Sequence, residues 1–189
     1  MSDNPLAIVM TGAPASGKST TAVALGREIG AAVLDQDSMT NPLVDVIMKS
    51  MGTSDYADPR VATLTRDARY ECLLQVASDC LRGGVSVILI APFTAERADA
   101  EAWERLESRL GDAGGQVHLV WIRLEPGLLI ERLVARGATR DADKVADPDG
   151  YLASVDLNPP SVRHIEVDGA DNPQDQVTSI AAALTRSTR

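Results

Sequence analysis

Five short apolar runs, rich in β-branched residues, recur along the chain at 6–10, 32–34, 85–91, 117–124 and 164–167. Between them lie longer stretches whose apolar residues return every three or four positions. Short strands alternating with helices predict an α/β fold, a parallel sheet with helices on both faces. The third run, Val85-Ser-Val-Ile-Leu-Ile-Ala91, is almost continuously apolar, as a strand covered on both sides should be.

Helices are expected over 20–29, 42–50, 60–81, 95–110, 126–136 and 173–185. Asn41 reads as the N-cap of the second. The third carries Val61, Leu64, Ala68, Cys72, Val76 and Cys80 on one face and stops at Gly83-Gly84. The fourth buries Trp103, Leu106 and Leu110. The fifth has Pro126 in its first turn and stops at Gly137. The stretches 51–60 and 137–150, rich in Asp, Gly and Pro, read as mobile loops over a site rather than domain boundaries. With no internal repeat and no low-complexity linker, residues 1–189 read as a single domain.

Composition narrows the function classes. Apolar residues at 44% and charged residues at 24% are ordinary for a soluble globular chain. A net charge of -9 argues against affinity for long nucleic acids or anionic membranes. No apolar run is long enough to span a bilayer, and Met1-Ser-Asp-Asn-Pro5 lacks the basic region of a signal peptide, so the expected location is cytoplasmic. Cys72 and Cys80 fall on one predicted helix, about 12 Å apart by helical rise. That is too far for a disulfide, and both read as reduced core residues. The two histidines, His118 and His164, lie in strand-like runs and form no metal-ligand cluster.

Candidate chemistry begins where the first strand ends. Met10-Thr-Gly-Ala-Pro-Ala-Ser-Gly-Lys-Ser19 contains Gly12-x-x-x-x-Gly17-Lys18-Ser19, a phosphate-binding loop between a strand and a helix. Loop N–H groups and a helix N-terminus converge there and can hold a polyphosphate. Gly12 and Gly17 permit backbone angles and close approaches that a Cβ would block. Lys18 can reach the outer phosphates, and the Ser19 hydroxyl can ligate Mg²⁺. Gly12, Ala13, Pro14, Ala15, Ser16, Gly17, Lys18, Ser19 and Thr20 are thus the candidate nucleotide-binding residues.

The second strand ends in Leu34-Asp-Gln-Asp-Ser38, at the sheet edge where α/β proteins bind ligands. Alternation along an extended chain points Asp35 and Asp37 the same way. One could hold Mg²⁺ through water, and the other could accept a proton from a substrate hydroxyl. The competing reading is a turn or a helix cap. Arg132 and Arg136, four residues apart, share a helix face, with Arg140 and Lys144 beyond Gly137. Such cations can neutralise a transferring phosphoryl group, and a mobile loop carrying them can exclude water. The alternative is a solvated face paired with Glu131, Asp141 and Asp143. The stretch Asp168-Gly-Ala-Asp-Asn-Pro173 either lines an adenine pocket or caps the last helix. Arg60, Arg66 and Arg69 could face a substrate, but solvated helix positions are the default expectation; Phe93, Trp103 and Trp121 are expected in the core.

With these residues in view, the chain resembles the small P-loop kinases: shikimate, gluconate and adenylate kinases, chloramphenicol phosphotransferase, the zeta toxins and phage polynucleotide 5′-kinase. The stretch 11–20 matches their Walker A loop. Leu34-Asp-Gln-Asp37 resembles the Asp-x-Asp end of the second strand in shikimate kinase, which implies magnesium for Asp35 and the substrate hydroxyl for Asp37. Asp37 also falls where the polynucleotide and chloramphenicol enzymes place the catalytic aspartate. Glu131-Arg-Leu-Val-Ala-Arg-Gly137 is similar to the helix entering the adenylate kinase lid, which implies Arg132 against adenine and Arg136 on the phosphates. The resemblance implies a three-layer P-loop fold with a five-stranded parallel sheet in order 2-3-1-4-5 and a mobile lid. One departure stands out: the third strand ends in Leu89-Ile-Ala-Pro-Phe93, without the Walker B acid of many relatives.

The expected activity is transfer of the ATP γ-phosphate to a hydroxyl of a small molecule. Lys18, Asp37 and Arg136 would be catalytic, Arg132 would bind nucleotide, and Ser19 and Asp35 would hold Mg²⁺. Residues 37–83 would bind the acceptor and 137–150 would form the lid, in a monomer or homodimer. Two alternatives remain: a nucleotide or nucleic-acid 5′-end acceptor, and a regulatory nucleotide-binding ATPase with little transfer.

Overall fold

The computed structural model describes residues 4–56, 58–138 and 141–187. The strands are β1 (Leu6–Gly12), β2 (Ala32–Asp35), β3 (Val87–Ile90), β4 (Gln116–Arg123) and β5 (Ile165–Asp168). The helices are α1 (Lys18–Ile29), α2 (Gln36–Ser50), α3 (Pro59–Arg82), α4 (Thr94–Ala98), α5 (Ala100–Asp112), α6 (Pro126–Arg136), α7 (Ala142–Ala146), α8 (Pro148–Ser154) and α9 (Pro173–Ser187). All strand pairs are parallel, in the order β2-β3-β1-β4-β5.

Alternation along each strand divides the core into two layers. Ala7, Val9, Val87, Leu89 and Leu119 face a core shared with Leu73 and Leu81 of α3 and Trp103, Leu106 and Leu110 of α5. Ile8, Met10, Ile88, Ile90, Val120 and Ile122 face the other, built with Ala22 and Leu25 of α1 and Val177 and Ile180 of α9. All four β3 residues are buried, which explains its unbroken apolar run. Phe93 and Trp121 are core residues as well, and both cysteines are free thiols. Among the described residues, no helix is long and apolar enough to cross a membrane.

Several boundaries depart from expectation for identifiable reasons. The second helix begins at Gln36, not at Pro42, because the Asp35 carboxylate caps it, accepting from the Asp37 and Ser38 N–H groups. Pro42 therefore sits inside α2, and Asn41 is not a cap. An interior proline costs a helix about 3 kcal/mol. The cap and the burial of Thr40, Val44 and Met48 on one side of α2 offset that cost. The expected helix over 95–110 is two helices, broken at Asp99, which is extended and caps α5 through Ala102 N–H. On α3 the buried side is Val61, Thr65, Leu73, Leu74, Ala77, Ser78 and Leu81. Leu64 and Ala68 are exposed, because the N-terminal part of α3 packs on α2 rather than on the sheet. The stretch 137–150 contains α7 and the start of α8, whose Val145, Tyr151 and Leu152 pack on Leu129 and Leu133 of α6.

Candidate active site

The phosphate loop grows directly out of the central strand. Gly12 is still in register with Ile122 of β4, at φ +148, and a Cβ there would lie 2.7 Å from the Ile122 carbonyl oxygen. Gly17, the N-cap of α1, has room for a Cβ but a φ of +103, so its requirement is one of conformation. Ser16 is buried, and its Oγ has no hydrogen-bond partner among the described residues. A buried polar atom without a partner is what a ligand-binding cradle leaves to its ligand. Lys18 Nζ donates to the carbonyl oxygens of Gly12 and Ala13, each at 2.8 Å. Burial lowers its pKa to about 8; Asp35 opposes that shift and Arg136 deepens it.

The two aspartates reach the same place by a route other than strand alternation. Asp35 ends β2, while Asp37 lies in the first turn of α2. Both nonetheless line a cavity of about 540 Å³ together with Lys18 and Ser19. Asp35 is a cap and a site residue at once: while one oxygen caps α2, Oδ2 accepts from Ser19 Oγ at 3.1 Å. Asp37 is paired with Arg69 of α3 at 2.6 Å. The same guanidinium donates to Thr40 Oγ1 and Asn41 Oδ1, each at 2.8 Å.

Arg69, for which a solvated position is the default expectation, is instead largely covered and bound to α2. Its signal lies in α2: Asp37, Thr40 and Asn41 are spaced i, i+3, i+4 and share one polar side of a helix that starts at Gln36. A helix that began at Pro42 would have no such side. Arg60, by contrast, is a surface residue paired with Asp58, and Arg66 is exposed.

The expected cations of α6 do converge on the cavity. Arg132 Nη2 donates to Gly169 O at 2.7 Å and Nη1 to Ser16 O at 3.2 Å, so it joins α6, the phosphate loop and the turn after β5. Arg136 and Lys144 also line the cavity, and both bind Asp141. Arg140 lies outside the described residues. Gly12, Pro14, Ala15, Gly17 and Thr20 contribute to the cavity wall. Ala13 instead packs against Leu124, Leu129 and Leu133. The turn after β5 caps the last helix, as Asn172 Oδ1 accepts from the N–H groups of Gln174 and Asp175. It also offers the Gly169 carbonyl to Arg132.

At the end of β3, Ile90, Ala91 and Pro92 form an apolar wall of the cavity. Glu96, the first acid beyond it, accepts from the Tyr70 hydroxyl. Among the described residues, no group of three or more His, Cys, Asp or Glu side chains could hold a metal ion alone. The Ser19 hydroxyl beside the Asp35 carboxylate is the hard oxygen pair that suits a Mg²⁺ also ligated by phosphate and water.

The fold and this cavity define a P-loop phosphate-binding protein. The profile of the AAA domain family matches residues 8–149, and the chain belongs to that family. No curated protein matches it. Among solved structures, a gluconokinase from Sinorhizobium meliloti 1021 is 20% identical over 97% of this chain and 93% of its own, with a TM-score of 0.60. Shikimate kinase from Aquifex aeolicus is 20% identical over 97% and 98%, with a TM-score of 0.55. An APS kinase from Mycobacterium tuberculosis, in complex with AMPPNP and APS, is 19% identical over 96% and 98%, with a TM-score of 0.56. At these identities the likeness is one of fold, that of the small P-loop kinases.

Proposed function

We propose that the protein is an ATP-dependent kinase that phosphorylates a hydroxyl group of a small molecule. The observation that carries this reading is the shared cavity: Asp37 lines it together with Lys18 and Ser19 of the phosphate loop. A site that only bound nucleotide would need no carboxylate on the acceptor side.

In this reading the loop N–H groups and Lys18 hold the β- and γ-phosphates, and Arg132 fixes the nucleotide end of the loop. Ser19 and Asp35 would hold Mg²⁺, which supplies charge neutralisation on the phosphate oxygens. Asp37 orients the acceptor hydroxyl and takes its proton as the acceptor oxygen bonds to the γ-phosphorus. The bond from that phosphorus to the β–γ bridging oxygen breaks, and ADP leaves with the electron pair. Arg136 neutralises the equatorial oxygens of the transferring group. The α2–α3 region, within residues 37–83, forms the acceptor wall, and 137–150 forms the cover over the phosphates. The apolar end of β3 leaves the metal to Ser19 and Asp35.

Incubation with ATP, Mg²⁺ and a library of hydroxylated metabolites and antibiotics tests the reading directly. Mass spectrometry should find one compound that gains a single phosphate, and Asp37→Asn should slow that gain by roughly 10² while AMPPNP still binds. The missing acid after β3 favours a second reading, a nucleotide-binding switch. Its mark would be an Asp37→Asn protein that behaves like the wild type in every nucleotide assay.

A further inference from the structure

We propose that Asp141 is a positioning residue that sets Arg136 and Lys144 at the phosphate cavity and thereby tunes nucleotide affinity. This rests on the kinase reading only for the identity of the ligand. The geometry is independent of it. Asp141 is a carboxylate at 1% side-chain exposure, buried under two cations that remain 33% and 30% exposed. Its Oδ2 accepts from Arg136 Nε at 2.8 Å and Nη2 at 2.5 Å, and its Oδ1 accepts from Lys144 Nζ at 2.9 Å. Both carboxylate oxygens are used, and both cations line the cavity that holds Lys18.

The two cations that Asp141 binds share a cavity wall with Lys18. Here its position answers a specific difficulty. Arg136 acts on Lys18 electrostatically and disfavours its charged form. Arg136 and Lys144 brought together without a counter-charge would repel each other and leave the site. Asp141 removes that repulsion and fixes two long, rotamer-rich side chains where phosphate oxygens need them, so less freedom is lost when the phosphates arrive. Two supports hold the arrangement in place. The Asp141 N–H donates to Ala138 O at 2.8 Å just past the end of α6, and the Lys144 ammonium lies 5.6 Å from the centre of the Tyr151 ring. Burial pushes the Asp141 carboxyl up, but the bonds from Lys144 and Arg136 prevail and hold it below the usual carboxylate range, so it is charged at neutral pH.

The test is direct binding of AMPPNP with Mg²⁺, read by calorimetry, which needs neither an acceptor nor transfer. Asp141→Asn keeps the shape and removes the charge; its Kd should rise about tenfold or more. Asp141→Glu, which restores the charge, should recover part of that loss. In an Arg136→Ala, Lys144→Ala background, Asp141→Asn should change Kd by less than about twofold, because its partners are gone. A purely structural role would produce the same added loss in both backgrounds and would overturn the proposal, as would a wild-type Kd in Asp141→Asn. If Asp141→Asn does not fold, as judged by circular dichroism, Asp141→Glu carries the test: it displaces the carboxylate by a methylene, and an unchanged Kd overturns the proposal. AMPPNP binding without phosphate transfer to any acceptor would defeat the kinase reading and leave this measurement decisive for Asp141.

Discussion

The two ends of the cavity are made of different materials. At the phosphate end, position is set by backbone: Gly12 is locked against β4, Gly17 opens α1, and Lys18 is held by two loop carbonyls. At the proposed acceptor end, position is set by side chains that reach across helices, with Arg69 holding Asp37, Thr40 and Asn41 from another element. Backbone placement needs only a local sequence and a strand beneath it. Placement by ion pairs needs two distant segments to meet, and it leaves charged groups part-exposed and replaceable. Backbone placement suits a ligand of fixed shape, such as a polyphosphate. Side-chain placement can change without disturbing the core.

If this contrast holds, damage at the phosphate end should be the more severe. Lys18→Ala should reduce turnover by on the order of 10³ and weaken AMPPNP binding as well, since the charge at the transferring phosphates is lost. Retained turnover would break the assignment of the loop. Asp37→Asn should lower kcat by roughly 10² with little change in AMPPNP affinity, because only the acceptor proton loses its destination. Isothermal titration beside steady-state kinetics separates the two effects. Arg69→Ala should cost about tenfold in kcat/KM for the acceptor and nothing in nucleotide affinity, as Asp37 loses its anchor but not its carboxylate. An equal loss in nucleotide affinity would erase the distinction between the two ends.

The smallest effect expected is one of pH. The Lys18 pKa is lowered from 10.5 to about 8, chiefly by burial. Phosphates favour the charged ammonium, so nucleotide binding takes up a proton above that pH. Affinity should fall by about threefold between pH 7.5 and 8.5, with a matching proton uptake seen by calorimetry in buffers of different ionisation enthalpy. Protein stability should move the other way. Between about pH 8 and 10.5 the unfolded chain binds more protons at Lys18 than the native state does, so this group makes stability rise with pH.

The same contrast decides what was legible in the sequence. The five strands, their parallel arrangement and the phosphate loop were readable because each rests on a local pattern: an apolar run, a glycine spacing, a helix stop. Arg132 and Arg136 were readable because i, i+4 spacing puts them on one helix side, and both do line the cavity. The start of α2 was not, since Pro42 mimics a first-turn proline and the true cap, Asp35, also reads as a strand end. That single misplacement concealed Arg69, whose partners form a side only when the helix begins at Gln36. The buried side of α3 and the break at Asp99 depend on which neighbour each turn meets, which no periodicity within the segment encodes. In the sequence Asp141 is one of three acids able to pair with a solvated helix face, because its burial depends on α7 and α8 folding back onto α6.

Gly12 is counted twice in this molecule, once as the last residue of the central strand and once as the first of the phosphate loop. Opening the loop at that point therefore means breaking the last rung of the β1–β4 ladder. The Gly12 amide should exchange with solvent at the pace of the β4 amides, whereas the loop N–H groups left for phosphate should exchange faster until nucleotide binds. The cradle is thus hinged on the most firmly paired strand of the sheet while its binding groups stay open.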